Sequence, residues 1–286
     1  MHLGGGFLAM FGGRTADAER EFATALDGFR ALGDRWAMAQ TLDPLAELAD
    51  WRGDQATSGA MLDKALALLD DLGAVEDMAV LLVRRATGLL RAGSLAAARA
   101  DHERAVELAI QAGAPETMAA AYCGLGEITR IQGDLAESRR LFELALGRGA
   151  TGWFVVRQAR ARALIGLGRL AEEEGDADEA RSWHGQALGL ALDHHNYPAA
   201  ATAVEGLAGV AVLERAGERA ALLLGAATAV RGTALAGHPD VAQVTAGCEA
   251  LIGTEAFAAA YRRGSALARD DALAMAGAAS RPCQAG

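Results

Sequence analysis

The chain has 286 residues, enough for two compact domains or one elongated array, and 52% of them are apolar while only 5% are aromatic. Ala and Leu dominate the apolar set, so strong helix formers outweigh the β-branched and aromatic residues that strands favour, and an all-α class is expected. A net charge of −10 repels phosphate backbones, which argues against direct nucleic-acid binding.

From the N-terminus, Leu3 to Phe11 reads as the stub of a helix interrupted by Gly4–Gly6, ahead of a turn at Gly13-Arg14. The same glycine-polar punctuation returns at Gly53-Asp54, Gly93-Ser94, Gly133-Asp134 and Gly175-Asp176, at intervals of 40, 40, 40 and 42 residues. A sixth turn fits Arg215-Ala216-Gly217, with the glycine displaced. Two amphipathic segments, each long enough for three or four helical turns, lie between successive turns.

The positions around each turn repeat too. Five residues after it stands a small residue: Ala18, Ser58, Ala98, Ser138, Ala180, Ala220. Nine after it stands a bulky one: Phe22, Leu62, His102, Phe142, His184, Leu224. Twelve after it alanine recurs, at Ala25, Ala65, Ala105, Ala145, Ala187 and Ala227. Upstream lie Leu45-Ala46, Leu125-Gly126, Leu167-Gly168 and Leu207-Ala208, a pair that Arg85-Ala86 breaks in the third repeat. Small residues where two helices cross let backbones approach, the bulky residue fills the groove beside them, and the turn glycine tolerates a left-handed backbone. The unit is a helical hairpin that must stack on its neighbours to bury its apolar faces.

These residues resemble the tetratricopeptide repeat, most closely in the fourth unit: Tyr122, Leu125-Gly126, Gly133-Asp134, Ser138, Phe142 and Ala145, with Thr129 where the family has tyrosine. The 40-residue period is similar to the long, MalT-like repeats of bacterial signal-transduction ATPases. The resemblance implies a right-handed superhelix of antiparallel hairpins over residues 1–232, with capping helices and a tail over 233–286. Residues 219–227 (Arg219 to Ala227) and 251–264 (Leu251 to Gly264) resemble the tail of the sensor region in actinobacterial LuxR-type and antibiotic-regulator-type transcription factors. The phase of Leu251, Ala258, Tyr261 and Ala268 suits a capping helix pair. The only lysine, Lys64, stands in Leu62-Asp63-Lys64-Ala65, which is no P-loop, so the ATPase role of that family does not carry over. The first repeat has no polar cap, which suggests an array that continues upstream and offers a surface for self-association.

Cys123, Cys248 and Cys283 are far apart and form no CxxC, so neither a disulfide framework nor a zinc ribbon is expected. No apolar run reaches the length of a transmembrane helix, and the first thirteen residues lack a basic signal-peptide start, so a cytoplasmic location without membrane contact is expected. Gly147-Arg-Gly149-Ala-Thr-Gly152 matches GxGxxG, and Gly166-Leu-Gly168-Arg-Leu-Ala171 its relaxed form, but neither follows a strand. His194-His195-Asn196-Tyr197-Pro198 lacks further ligands at metal spacing and reads as a loop ending at a helix start. His102 and His184 read as half-buried packing residues. No nucleophile stands with a base, so no catalytic residue, metal or cofactor is assigned.

In the resembled fold the first helix of each hairpin lines a concave groove. Aligning to the turns places Gln40, Asp43, Glu47 and Asp50 there, then Thr87 and Arg91, then Cys123, Glu127 and Arg130. Arg162, Arg169 and Glu172 follow, then Thr202 and Glu205, so the groove is expected to be acidic toward the N-terminus and mixed further along. It lacks the Lys and Asn of a chaperone-tail clamp. The expected role is a protein- or peptide-binding sensor scaffold of a transcriptional regulator; the alternatives are a free-standing adaptor and a small-molecule sensor. Reversing the charges of Asp43, Glu47 and Asp50 together is expected to abolish partner binding without unfolding the chain.

Overall fold

The computed structural model describes residues 2–148, 154–235 and 238–280, with the backbone alone at 148 and 154–158. Cys283, Gly149 and Gly152 lie outside the described residues. Among the described residues the fold is all-α, with fifteen helices and no strand. In chain order these are α1 (His2–Phe11), α2 (Thr15–Leu32), α3 (Arg35–Trp51), α4 (Gln55–Asp70), α5 (Val75–Arg91), α6 (Leu95–Ala112), α7 (Pro115–Ile131) and α8 (Leu135–Arg148). They continue as α9 (Phe154–Glu174), α10 (Ala177–Asp193), α11 (Tyr197–Leu213), α12 (Gly217–Arg231), α13 (Pro239–Ile252), α14 (Thr254–Ser265) and α15 (Arg269–Ala279). By their contacts the residues form two compact units, Met1–Ala159 and Arg160–Gly286.

The turns at Gly13, Gly53, Gly93, Gly133 and Gly175 are left-handed, with φ between 69° and 85°. Each closes its helix with a reciprocal bond pair: the Gly53 N–H donates to the Asp50 carbonyl and the Asp54 N–H reaches back to Ala49. Arg215 takes the same role at φ 61° without a glycine, at a cost in backbone strain that a β-carbon always carries there. The polar residue after the turn starts the next helix. Asp54 accepts from the Thr57 N–H at 3.1 Å, Asp134 from Glu137 at 3.1 Å and Asp176 from Glu179 at 2.9 Å.

A second series of left-handed turns, which the Gly-polar pattern does not include, falls at Gly33, Gly73 and Gly113, at φ 68°, 64° and 66°, each midway between two turns of the first series. The chain is therefore punctuated every 20 residues, once per helix, through most of the first unit. His195, at φ 52°, holds the corresponding place before α11, where Asn196 caps the helix through the Ala199 N–H at 3.1 Å.

All eighteen residues at the small, bulky and alanine positions are buried. His102 and His184 are wholly buried rather than half-buried, at 1% and 0% exposure, because each ring lies against a glycine of a neighbouring helix. The expected break of α1 at Gly4–Gly6 does not occur. The helix runs through, with the Phe22 ring resting where a Gly6 side chain would be and the Phe7 ring meeting it edge-on at 5.1 Å.

Polar bridges add a regular tie between repeats. Glu19–Arg52, Arg99–Gln132 and Arg181–Glu214 each link residues 33 apart, from the residue six after one turn to the residue just before the next. Arg85, the residue that breaks the third repeat's pattern, bonds Asp101 at 2.7 Å and Asp63 at 2.9 Å. In the second unit α12 packs on α13, α14 and α15, so three helices rather than a pair follow the last hairpin. The seam with α14 runs through Ala260 and Gly264, and Ala268 is exposed; a β-carbon at Gly225 of α12 would stand 2.7 Å from the Ser265 backbone nitrogen. Helix backbones approach that closely only through glycine.

Candidate functional site

Gln40, Asp43, Glu47 and Asp50 follow one another at steps of three or four residues and therefore share a face of α3. Their partners come from α5. Arg84 bonds Asp43 through Nε at 2.9 Å and Glu47 through Nη1 at 2.8 Å, and Arg91 forms an ion pair with Asp50. Asp77 accepts from Gln40 Nε2 at 2.7 Å and from Trp36 Nε1 at 2.9 Å. The bonded residues are 41 or 37 apart, one repeat plus one residue or minus three, so the period itself builds a polar ladder between successive first helices.

Two guanidiniums, Arg84 and Arg91, face the four carboxylates Asp43, Glu47, Asp50 and Asp77, so the ladder is partly neutralised and stays acidic. Burial disfavours the charged form of Arg84, but the Asp43 and Glu47 carboxylates outweigh it and hold the guanidinium more firmly protonated than usual. The acidic stretch expected from α3 alone is thus answered in part by Arg84 and Arg91 of the next repeat. Those carboxylates also hold α3 to α5, and reversing all three would place like charges against Arg84 and Arg91.

Further along, Thr87 donates to the Val83 carbonyl at 2.9 Å, Glu127 forms an ion pair with Arg130 one turn away, and the Cys123 thiol points at the Ala159 carbonyl at 3.5 Å. In the second unit the proposed groove residues turn to neighbouring helices. Arg169 meets Asp240 of α13 at 2.8 Å, Glu172 meets His184 of α10 at 2.6 Å, and Glu205 meets Arg231 of α12 at 2.6 Å. Thr202 accepts a second bond from Arg231 at 3.2 Å, and Arg162 is half-buried. Asp77 and Arg84 follow from the α3 positions by adding 41 or 37, and Trp36 stands on the same face of α3, one turn before Gln40.

No reactive constellation emerges from these positions. Cys123 and Cys248 are buried, and desolvation pushes the Cys248 thiol up to about 11, which keeps it protonated. Among the described residues no three His, Cys, Asp or Glu side chains are arranged to hold a metal ion. Arg52-Gly53-Asp54 is spent on structure, with Arg52 bonding Glu19 at 2.7 Å and Asp54 capping α4. No helix among the described residues is long and apolar enough to cross a membrane.

Stacked hairpins with small crossing residues and a polar face on the first helices define the class of α-helical repeat scaffolds. A tetratricopeptide-repeat family model matches residues 77–149, which makes that stretch a tetratricopeptide region. Among solved structures the chain is similar to BtubC (BKLC) from P. vanneervenii, with 18% identity and a TM-score of 0.52 over 76% of this chain and 91% of that one. At that identity the likeness is one of fold. Comparison with curated proteins finds no match.

Proposed function

We propose that this chain is a non-catalytic, cytoplasmic scaffold that docks a protein or peptide partner against the first helices of its hairpins. The observation that carries this reading is the ladder of Gln40, Asp43, Glu47, Asp77 and Arg84, a polar face about one-fifth exposed at its ion pairs (18–22%), whose α5 side, Asp77 and Arg84, lies in the tetratricopeptide match. A pre-organised face loses little side-chain entropy when a ligand settles on it. The finer reading is the sensor region of a LuxR-type transcriptional regulator, supported by the resemblance of residues 219–227 and 251–264 to that family's sensor tail. In that reading residues 233–286 cap the repeat array.

A photo-cross-linking amino acid at Thr87, with Lys64 on the exposed side of α4 as control, tests the docking face. A protein joined at 87 and not at 64 is the expected outcome; equal labelling of both would sink the reading. Regulator context is tested separately by blotting the native host with an antibody to this chain. The regulator reading expects a species much larger than 29.5 kDa, and a band at 29.5 kDa would favour a free-standing adaptor.

A further inference from the structure

Eight large apolar side chains are exposed among the described residues, and four of them gather at one edge of the first unit: Leu32 (79% exposed), Trp36 (49%), Leu72 (48%) and Val80 (38%). Leu32 and Leu72 are repeat equivalents, each immediately before a left-handed glycine, Gly33 and Gly73. The two turns are fastened side by side by the Arg35–Asp71 ion pair and by the bonds from Trp36 and Gln40 to Asp77. Val80 lies on α5 one turn beyond Asp77. The stacking of the repeats thus brings an indole and three aliphatic side chains to a common edge, although they come from separate parts of the sequence.

The chemistry of this edge selects its occupant. The segments 32–36 and 70–80 carry five carboxylates, Asp34, Asp70, Asp71, Glu76 and Asp77, against one guanidinium, Arg35, which is committed to Asp71. Asp77 differs from the acids of the ladder beside it. Both its oxygens accept bonds from neutral donors, the Trp36 indole and the Gln40 amide, so these bonds orient the carboxylate and leave its charge in place. The same bond fixes the Trp36 ring while half of its surface stays open. An exposed indole next to an oriented carboxylate receives a guanidinium or ammonium group, and the leucines beside it receive aliphatic side chains.

We propose that the edge formed by Leu32, Trp36, Leu72 and Val80 docks a basic amphipathic segment of a partner protein. Nucleic acids and anionic membranes are repelled by the same carboxylates. The inference rests on the scaffold reading and names the partner's chemistry.

The probe is a fluorescein-labelled synthetic peptide with Arg and Leu at helical spacing, set against a counterpart with Glu in place of Arg, both titrated with the full chain by anisotropy. The Arg peptide binds and the Glu peptide does not, and raising salt from about 50 to about 300 mM weakens binding. Asp70→Asn with Glu76→Gln removes charge at positions outside the ladder, Leu72→Ser removes apolar surface, and each weakens binding at least about tenfold. Urea unfolding midpoints equal to wild type show that these variants are folded. Equal binding of the two peptides, no binding of either, or variants that bind like wild type would overturn the proposal. So would a concentration-dependent dimer abolished by Leu72→Ser, which would make a second copy the occupant. Cross-links at Thr87 without peptide binding leave the scaffold reading standing and this inference refuted; peptide binding without such cross-links keeps the scaffold and moves its docking face from the first helices to this edge.

Discussion

Replacing Gly168 by alanine should destabilise the second unit far more than a single buried methyl group suggests. The imidazole of His184 is wholly buried, and its Nε2 lies 2.6 Å from Glu172 Oε1. A methyl group on Gly168 would stand 2.5 Å from the ring's Cε1 and 2.6 Å from Nε2, whereas atoms in contact settle at about 3.5–4.0 Å. The ring must therefore retreat by about 1 Å. It cannot move toward α11, because Gly206 already presses on the same ring and has no room for a β-carbon. Overpacking costs about 1–3 kcal/mol, and loosening the bond to Glu172 adds about 1.5–3 kcal/mol. Alanine's better helix propensity returns about 1 kcal/mol, so the net loss is about 1.5–5 kcal/mol. The assay is urea unfolding followed by circular dichroism, with hydrogen exchange read over α9–α11 because stacked repeats need not unfold in one step. His184→Ala removes the obstacle, so the double variant should cost at least about 1 kcal/mol less than the two single losses added. A Gly168→Ala variant within about 0.5 kcal/mol of wild type, or strict additivity with His184→Ala, would refute the reasoning.

Three further outcomes are expected. Arg231→Met leaves the Glu205 carboxylate buried without its 2.6 Å partner and should cost about 3–5 kcal/mol by chemical denaturation, most of it recovered by adding Glu205→Gln. Reversing Asp43 and Glu47 to lysine should lower the unfolding midpoint, since Arg84 then faces two cations, and Arg84→Glu on that background should restore it; an unchanged midpoint in the first variant would show the ladder to be structurally idle. The Thr57 hydrogen bonds hold the Asp54 carboxyl below its ordinary range. The folded value is the lower one, so the cap's contribution is fully present above about pH 4 and fades as pH falls through that lower value. Asp54→Asn keeps an acceptor and should flatten this part of the pH profile; an identical slope in the two proteins would place the effect elsewhere.

Much of the repeat logic is readable from particular residues. Gly53-Asp54 states the end of one helix and the cap of the next in two letters, because a left-handed residue and a side-chain acceptor are local requirements. Ala18, Phe22 and Ala25 and their equivalents identify the buried stripe for the same reason, since helix geometry places residues three or four apart on one face. Two misreadings share a cause, the docking of a neighbouring helix: the glycines of α1 look like a break until Phe22 covers Gly6, and His184 reads as half-buried until Gly168 and Gly206 enclose it. Arg85 does interrupt the third repeat's pattern, and Asp63 and Asp101 meet it there.

The all-α class, the hairpin unit and the acids that stand on the face of α3 follow from local sequence alone. Their consequence was decided by tertiary structure. Arg84 pairs with both Asp43 and Glu47 while Trp36 and Gln40 orient Asp77 without neutralising it, so the acids of one helix face are partly answered at its middle and flank a negatively charged apolar edge at its start. Local periodicity shows which residues share a helix face. Which charge meets which across 37 or 41 residues depends on how the next repeat docks, and that is set by packing between helices.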